Sequence, residues 1–171
     1  PGNPADILYT IYTSGSTGMP KGVLLKNENL ANYVAWFCHA AGVTAFDRAL
    51  LASSLAFDLG YTSLYPVLLK GGQCHIISKE TYLFAPQLLG YIEENKITLV
   101  KITPSLFAAV AADSGFTARR CQSLRVLVLG GEAIIAADVK KAFAVCKNIR
   151  IMNHYGPTET TIGSIAKFID P

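Results

Sequence analysis

The chain has 171 residues, of which 51% are hydrophobic and 16% are charged, which is enough apolar material for one buried core. Its formal net charge is +3 and no basic run is interleaved with aromatic residues, which argues against nucleic-acid binding. The cysteines and histidines show neither C-x-x-C nor H-x-x-x-H spacing, so we expect a cytoplasmic protein without a disulfide framework or a metal cluster. No apolar run has membrane-spanning length, so we expect no membrane partner.

Strands and helices alternate along the chain. Runs rich in β-branched and other apolar residues predict strands at 7–13, 23–26, 49–53, 73–78, 97–102, 125–130 and 149–156. Helical patterns separate them at 29–41, 61–69, 85–94 and 136–146, with another helix opened by Thr103-Pro104. This order predicts a doubly wound α/β fold, in which a mostly parallel sheet has helices on both faces. Functional residues are therefore expected in the loops that follow the strands.

The first of these loops lies in the stretch YTSGSTGMPKGV, residues 12–23. Glycines and hydroxyl residues that precede a lysine are typical of phosphate binding. The stretch is not a Walker loop, because Pro20 has no N–H to donate and Gly22 stands where a Walker loop has its magnesium-binding hydroxyl. A solvent-exposed turn with a free lysine is the alternative interpretation.

Three further loops combine glycine with acidic or aromatic residues: FDLGY at 57–61, GGEA at 130–133 and NHYGPTETT at 153–161. Each also has a purely structural interpretation. Asp58 would cap a helix, Gly130 and Gly131 would form a tight turn, Tyr155 would lie in the core, and Glu159 would be solvated. The predicted topology brings all of these loops to one edge of the sheet, which favours a shared site.

Together, and in this order, the stretches YTSGSTGMPKGV, FDLGY and NHYGPTETT resemble signatures of the adenylation domains of nonribosomal peptide synthetases, in the AMP-forming, acyl-activating superfamily. The resemblance covers essentially the whole chain. It implies that a substrate carboxylate attacks the α-phosphate of ATP, giving an aminoacyl-AMP and pyrophosphate. The implied partners are the amino acid, ATP, the remaining adenylation subdomains and a peptidyl carrier protein that bears phosphopantetheine.

The resemblance also assigns a nucleotide site. The β- and γ-phosphates would contact Thr13, Ser14, Gly15, Ser16, Thr17, Gly18 and Lys21. The adenine would lie against Tyr155 and beside the backbone of Gly131, Glu132 and Ala133, with Asn153 and Gly156 also in the site. Thr158 resembles the family's α-phosphate donor and Glu159 its ligand for Mg²⁺. The expected catalytic residues are therefore Lys21, Thr158 and Glu159.

The pocket for the substrate side chain would be lined by Asp58, Leu59, Thr62, Lys101, Val128, Gly130, His154, Ile162 and Gly163. Asp58 would pair with the substrate ammonium, which implies an α-amino acid. Lys101 lies in the apolar strand ITLVKI and needs a carboxylate if it points inward; alternatively, it reaches water from the strand end. The pattern resembles aspartate-selective members of the family. Asparagine-selective members tend to carry an acid where His154 stands.

The family's adenylation domains contain parts that have no counterpart here. These are the acid that holds the ribose, the hinge, and the C-terminal subdomain with its catalytic lysine. Residues 1–171 are therefore expected to form a single flavodoxin-like subdomain that has little activity alone. A non-catalytic binding subdomain and a fragment of an acyl-CoA ligase are the alternatives. A Rossmann oxidoreductase is disfavoured, because no G-x-G-x-x-G follows a strand.

Overall fold

A computed structural model describes residues 2–14 and 18–171 of the chain. The strands are β1 (Ile7–Thr13), β2 (Lys21–Lys26), β3 (Arg48–Leu51), β4 (Gln73–Ile76), β5 (Leu99–Ile102), β6 (Val126–Gly130), β7 (Arg150–Tyr155) and β8 (Ile165–Ile169). The helices are α1 (Asn27–Ala41), α2 (Tyr61–Leu69), α3 (Lys79–Leu83), α4 (Ala85–Glu94), α5 (Pro104–Ala112) and α6 (Ala136–Val145). Short 3₁₀ turns lie at Asp58–Gly60 and Thr158–Thr160.

The main sheet has six strands in the order β4-β3-β5-β6-β7-β8. Strands β3 to β7 are parallel to their neighbours, and β8 is antiparallel to β7. The parallel strands follow the 2-1-3-4-5 order of flavodoxin-like folds, in which the connections reverse direction between the first and third strands. The predicted doubly wound α/β fold is therefore confirmed. Its switch point, where a ligand crevice is expected, lies between β3 and β5.

The structure differs from the prediction in one added strand, one added helix and the placement of the first two strands. The sequence pattern predicts no strand after 149–156, but β8 pairs with β7 and extends the sheet by one strand. Strand β8 is only five residues long, IAKFI, and its side chains are all half-buried or exposed. The short helix α3 was not predicted either. Strands β1 and β2 form a separate antiparallel pair outside the main sheet.

Side chains at the helix starts explain several boundaries. The Thr103 hydroxyl accepts a hydrogen bond from within the first turn of α5, and Pro104 occupies that turn, as predicted. Helix α1 begins at Asn27 rather than at Asn29. The Asn29 side chain instead accepts a 3.0 Å hydrogen bond from the backbone N–H of Lys26, which closes the first turn from inside the helix.

Two buried apolar clusters lie on opposite faces of the sheet. Helices α4, α5 and α6 pack into one cluster, and α1 and α2 pack into the other. Val100 and Ile102 of β5 belong to the first cluster, whereas Leu99 belongs to the second. Side chains alternate along a strand, so Lys101 lies on the face that α1 and α2 cover. Lys101 is only 2% exposed, so it does not reach water from the strand end.

All four cysteines are free. Within residues 2–14 and 18–171, no group of three or more histidine, cysteine, aspartate or glutamate side chains is arranged to hold a metal ion. The same residues include no helix with the length and apolarity needed to cross a bilayer.

Candidate functional site

A cavity of about 550 Å³ opens where β6 and β7 end. Its lining includes every residue that was predicted to surround the adenine: Gly131, Glu132, Ala133, Asn153, Tyr155 and Gly156. Tyr155 is 63% exposed, so it is not a core residue. The Glu132 carboxylate accepts 2.9 Å hydrogen bonds from the backbone N–H and the hydroxyl of Ser105, at the start of α5. This second role of Glu132 was not predicted from the sequence.

The hairpin of β1 and β2 holds the two ends of the glycine loop in register. Thr13 is paired directly with Lys21, and the exposed Gly18 has a φ of +81°, in the left-handed region that favours glycine. Ser14 is also exposed, whereas Gly15, Ser16 and Thr17 lie outside the described residues. Strand β2 contacts the 3₁₀ turn Thr158–Thr160. Two motifs that are far apart in the sequence are therefore neighbours.

A chain of buried hydrogen bonds runs across the face covered by α1 and α2. Lys101 Nζ lies 2.7 Å from His154 Nδ1, and His154 Nε2 lies 3.0 Å from the Tyr33 hydroxyl. The Tyr33 hydroxyl is in turn 2.8 Å from the Thr62 hydroxyl. All four side chains are buried. Lys101, Thr62 and His154 were predicted to line one pocket, and the structure brings them together.

Burial determines the charges in this chain. It lowers the pKa of Lys101 to about 7, although the nearby Asp58 charge opposes the shift. Burial and the charge of Lys101 lower the pKa of His154 to about 3, so this imidazole is neutral near pH 7. Within the described part of the chain, no carboxylate forms an ion pair with Lys101. The site therefore contains a buried amine that has no direct ion-pair partner and only the nearby charge of Asp58 to oppose its desolvation.

Asp58 lies in the 3₁₀ turn that follows β3, and this turn contacts β5. Its side chain is half-buried, and its Oδ2 atom is buried without a hydrogen-bond partner among the residues described. Burial raises the pKa of Asp58, while polar groups of Thr158 and Ile162 and the charge of Lys101 oppose this shift. A buried carboxylate oxygen without a donor is suited to receive a ligand cation.

Glycines make room for the imidazole and the amine. A Cβ atom on Gly163 would overlap the His154 ring. On Gly130, a Cβ would lie 3.2 Å from Lys101 Nζ and would overlap the backbone carbonyl of His154. The buried Val128 is paired directly with Lys101 across β5 and β6 and forms a wall of the same space.

Ile162 reaches the site through an unusual backbone turn. Thr161 and Ile162 have φ values of +65° and +67°, and the Gly163 N–H donates a 2.6 Å hydrogen bond to the Thr161 carbonyl. This is a strained γ-turn, and a β-branched residue rarely adopts it. The turn buries the Ile162 side chain, which is 4% exposed. Such strain is concentrated at functional sites.

Leu59 lies close to Gly131, whose added Cβ atom would be 3.3 Å from Leu59 Cδ1. It lines a different cavity, of about 690 Å³, together with Phe57, Tyr82, Thr103 and Leu106. Two aromatic residues of α1 also join the site. Tyr33 belongs to the hydrogen-bond chain, and the Trp36 ring centroid lies 6.2 Å from that of His154. Their three-residue spacing places them on one face of α1, which is the signal that sequence analysis could have used.

The chain is similar to known proteins of one family. The family model described as AMP-binding enzyme matches residues 1–171. The chain is 54% identical over 164 residues to bacitracin synthase 3 of Bacillus licheniformis, covering 95% of this chain and 3% of that protein. It is 50% identical over 166 residues to surfactin synthase subunit 2 of Bacillus subtilis (strain 168), covering 96% of this chain and 5% of that protein.

A similar structure is the crystal structure of a four-domain nonribosomal peptide synthetase bound to AMP and glycine. It matches with a TM-score of 0.86 and 28% identity, over 96% of this chain and 12% of that one. The chain therefore spans only a small part of the length of the relatives that it matches.

Proposed function

Because the chain belongs to the family of AMP-binding enzymes, we propose that it carries the nucleotide site and the amino-acid site of an adenylation domain in a nonribosomal peptide synthetase. In the reaction, a carboxylate oxygen of the amino acid bonds to the α-phosphorus of ATP. The bond from that phosphorus to the oxygen that bridges to the β-phosphate breaks, and pyrophosphate leaves. The attacking carboxylate is already ionised, so no general base is needed. Alignment and stabilisation of charge would supply the catalysis.

The nucleotide half of the proposal rests on the cavity at the ends of β6 and β7. The adenine would lie on Tyr155, and Thr158 would donate to the α-phosphate. Lys21 and residues 13–18 would hold the phosphates that leave as pyrophosphate. Mg²⁺ commonly binds to one or two carboxylates together with phosphate oxygens and water, and the exposed Glu159 suits this role.

The substrate half of the proposal is that the amino acid is L-aspartate. The observation that carries it is the buried Lys101 amine, which has no ion-pair partner among the described residues and lies at the switch point of the sheet. The β-carboxylate of aspartate would supply a counter-charge, and the unpartnered Oδ2 of Asp58 would accept from the substrate ammonium. Asparagine has the same shape but leaves Lys101 unpaired. Asp58 argues against an acyl-CoA ligase, whose substrate has no ammonium.

The activity can be tested in a chimera, in which residues 1–171 replace the matching segment of a complete adenylation domain. Pyrophosphate exchange is measured with aspartate, asparagine and glutamate. We expect aspartate to be preferred, with some activation of glutamate, because one methylene discriminates by only ~1–3 kcal/mol. Exchange with asparagine alone would contradict the substrate assignment. Activation of no amino acid would overturn the proposed function.

Two variants of the chimera test the nucleotide site separately. Lys21→Ala removes a charge expected to stabilise pyrophosphate, and Glu159→Gln replaces a hard carboxylate ligand with a neutral amide. Each is expected to slow exchange by roughly 100-fold, whichever amino acid is supplied. Lys167→Ala, on the exposed part of β8, is the matched control for loss of a surface lysine. Wild-type rates in both variants would show that the nucleotide assignment is wrong.

The carrier protein is the remaining proposed partner. The aminoacyl group of the adenylate would pass to the thiol of phosphopantetheine on a peptidyl carrier protein, with AMP as the leaving group. Transfer of labelled aspartate from the chimera to such a carrier tests this step. The adenylation domain without the carrier is the control.

A further inference from the structure

Helix α1 contributes one polar atom to the buried hydrogen-bond chain, namely the hydroxyl of Tyr33. This hydroxyl lies between His154 Nε2 and the Thr62 hydroxyl, at 3.0 Å and 2.8 Å. The Tyr33 and His154 rings meet edge-on, with centroids 5.8 Å apart and planes at 85°. Tyr33 is 4% exposed, so water does not replace these contacts in the folded state. Tyr33 was not among the residues that the sequence assigned to the site.

The two nitrogens of a neutral imidazole have opposite roles, because one donates and the other accepts. An ammonium has donors only, so a charged Lys101 must donate to His154 Nδ1. The proton of His154 then lies on Nε2, which donates to the Tyr33 oxygen. Tyr33 in turn donates to the Thr62 hydroxyl. Each of the three hydrogen bonds in this arrangement then has one donor and one acceptor.

The arrangement also fixes what Lys101 can offer to a ligand. One of its three N–H groups is directed at His154, which leaves the other two for an incoming group. Val128 and Gly130 border the same space. A carboxylate can accept both remaining protons, whereas the amide of asparagine offers one oxygen and its NH₂ group would face the ammonium as a second donor.

We propose that Tyr33 is a specificity-determining positioning residue, which holds His154 in the tautomer and ring orientation that direct Lys101 at the side-chain carboxylate of the substrate. This inference rests on the proposed function, because it assigns a role within the amino-acid site. In this role Tyr33 acts through its hydrogen bond to His154.

The test is Tyr33→Phe in the chimera, which removes the hydroxyl and keeps the ring. Buried His154 Nε2 then loses its partner, and the imidazole can turn away from Lys101. We expect the KM for aspartate to rise about 5- to 30-fold with little change in kcat, because the side-chain contact is equal in the ground and transition states. The KM for ATP is expected to stay unchanged, and the preference for aspartate over asparagine is expected to narrow.

Tyr91→Phe is the matched control, because Tyr91 donates or accepts one hydrogen bond with a histidine elsewhere in the fold. A double-mutant cycle then separates positioning from packing. If Tyr33 acts through His154, Tyr33→Phe has no further effect on the aspartate-to-asparagine ratio in a His154→Ala background.

The proposal is supported if Tyr33→Phe lowers the aspartate-to-asparagine ratio in the wild-type background but not in the His154→Ala background. Tyr91→Phe should leave that ratio unchanged. An unchanged ratio in Tyr33→Phe, or the same loss in both backgrounds, would overturn the proposal while the adenylation function stands. A chimera that activates no amino acid would instead overturn the proposed function, and the role of Tyr33 with it.

Discussion

The fold contains two tyrosine–histidine pairs of nearly the same geometry. The Tyr91 hydroxyl lies 3.1 Å from His75 Nδ1, and the two rings are 5.8 Å apart at 82°, which matches the Tyr33–His154 pair. Burial lowers the pKa of both histidines, and a nearby cation, Arg48 or Lys101, lowers it further. By these measures the two pairs are alike.

The two tyrosine–histidine pairs differ in burial and in the contact that the second ring nitrogen of His154 makes. His154 is 2% exposed and its other nitrogen contacts a buried lysine, whereas His75 is only half-buried. Burial removes solvent as a partner for Lys101, and the neutral His154 cannot supply a counter-charge. A tyrosine–histidine pair is therefore no sign of function by itself. The feature that marks the site is the Lys101 amine at the end of the hydrogen-bond chain, which is buried without an ion-pair partner.

Removing that amine is expected to have the largest effect. In the chimera, Lys101→Met should lower kcat/KM for aspartate by roughly 100-fold or more, because the substrate carboxylate would be buried without a counter-charge. The loss for asparagine should be far smaller. Pyrophosphate exchange with both amino acids measures the difference, and Arg48→Met, beside His75, is the control. Equal losses for both amino acids would mean that Lys101 serves a group common to them, such as the α-carboxylate.

The second effect is expected in the pH dependence of kcat/KM for the two amino acids. Lys101 has a pKa of about 7, so it loses its charge as the pH rises above that value. The kcat/KM for aspartate should then fall, approaching about tenfold per pH unit, because this parameter follows the ionisation of the free enzyme. The profile for asparagine should be flatter. A profile for aspartate that is unchanged between pH 7 and 9 would contradict the role of Lys101.

A separate effect concerns the stability of the fold in acid rather than activity. The pKa of His154 is about 3 in the folded state against 6.5 ordinarily, so between these values the unfolded chain binds more protons. This group's contribution to stability is therefore full above pH 6.5 and is lost as the pH falls. It amounts to up to about 3 kcal/mol between pH 7 and 4.

Thermal unfolding across this pH range is the measurement. His154→Gln should remove that part of the pH dependence, and His75→Gln should remove less of it. Identical slopes for wild type and His154→Gln would show that the imidazole is solvated in the folded state.

The smallest effect is expected where only a partly solvated hydrogen bond is lost. Tyr91→Phe should cost ~1 kcal/mol or less of unfolding free energy, since water can reach the half-buried His75. The ratio of aspartate to asparagine activation should not change. A shift in that ratio would mean that the two faces of the sheet are coupled, and that the pairs are not independent.

The sequence predicts most of the fold because its signals are local. Alternating apolar runs and a capping Thr103 are visible within a few residues, and the parallel topology follows from their order. Strand β8 was missed because it has only five residues, a run too short for its period to identify it as a strand. The motif residues around the β6–β7 cavity were predictable for another reason, namely that parallel strands end at one edge.

Tyr33 shows where this reasoning stops. Its partner His154 is 121 residues away in the sequence, and an aromatic residue on an amphipathic helix predicts only a core position. The position of Leu59 in the lining of another cavity has the same origin. The direction of a side chain that leaves a 3₁₀ turn depends on the packing of distant elements, which no local pattern encodes.

Gly163 has a consequence for how such a pocket diverges in evolution. It carries no functional group, yet the smallest side chain at this position would occupy the space of the His154 ring. Gly163→Ala would displace the imidazole, and His154 would lose its hydrogen bonds to both Tyr33 and Lys101. Substitutions at 154 and 163 are therefore epistatic, because a larger residue at 163 becomes acceptable only after the histidine has been replaced by something smaller. A lineage that acquires a larger residue at position 163 would therefore have to change position 154 first.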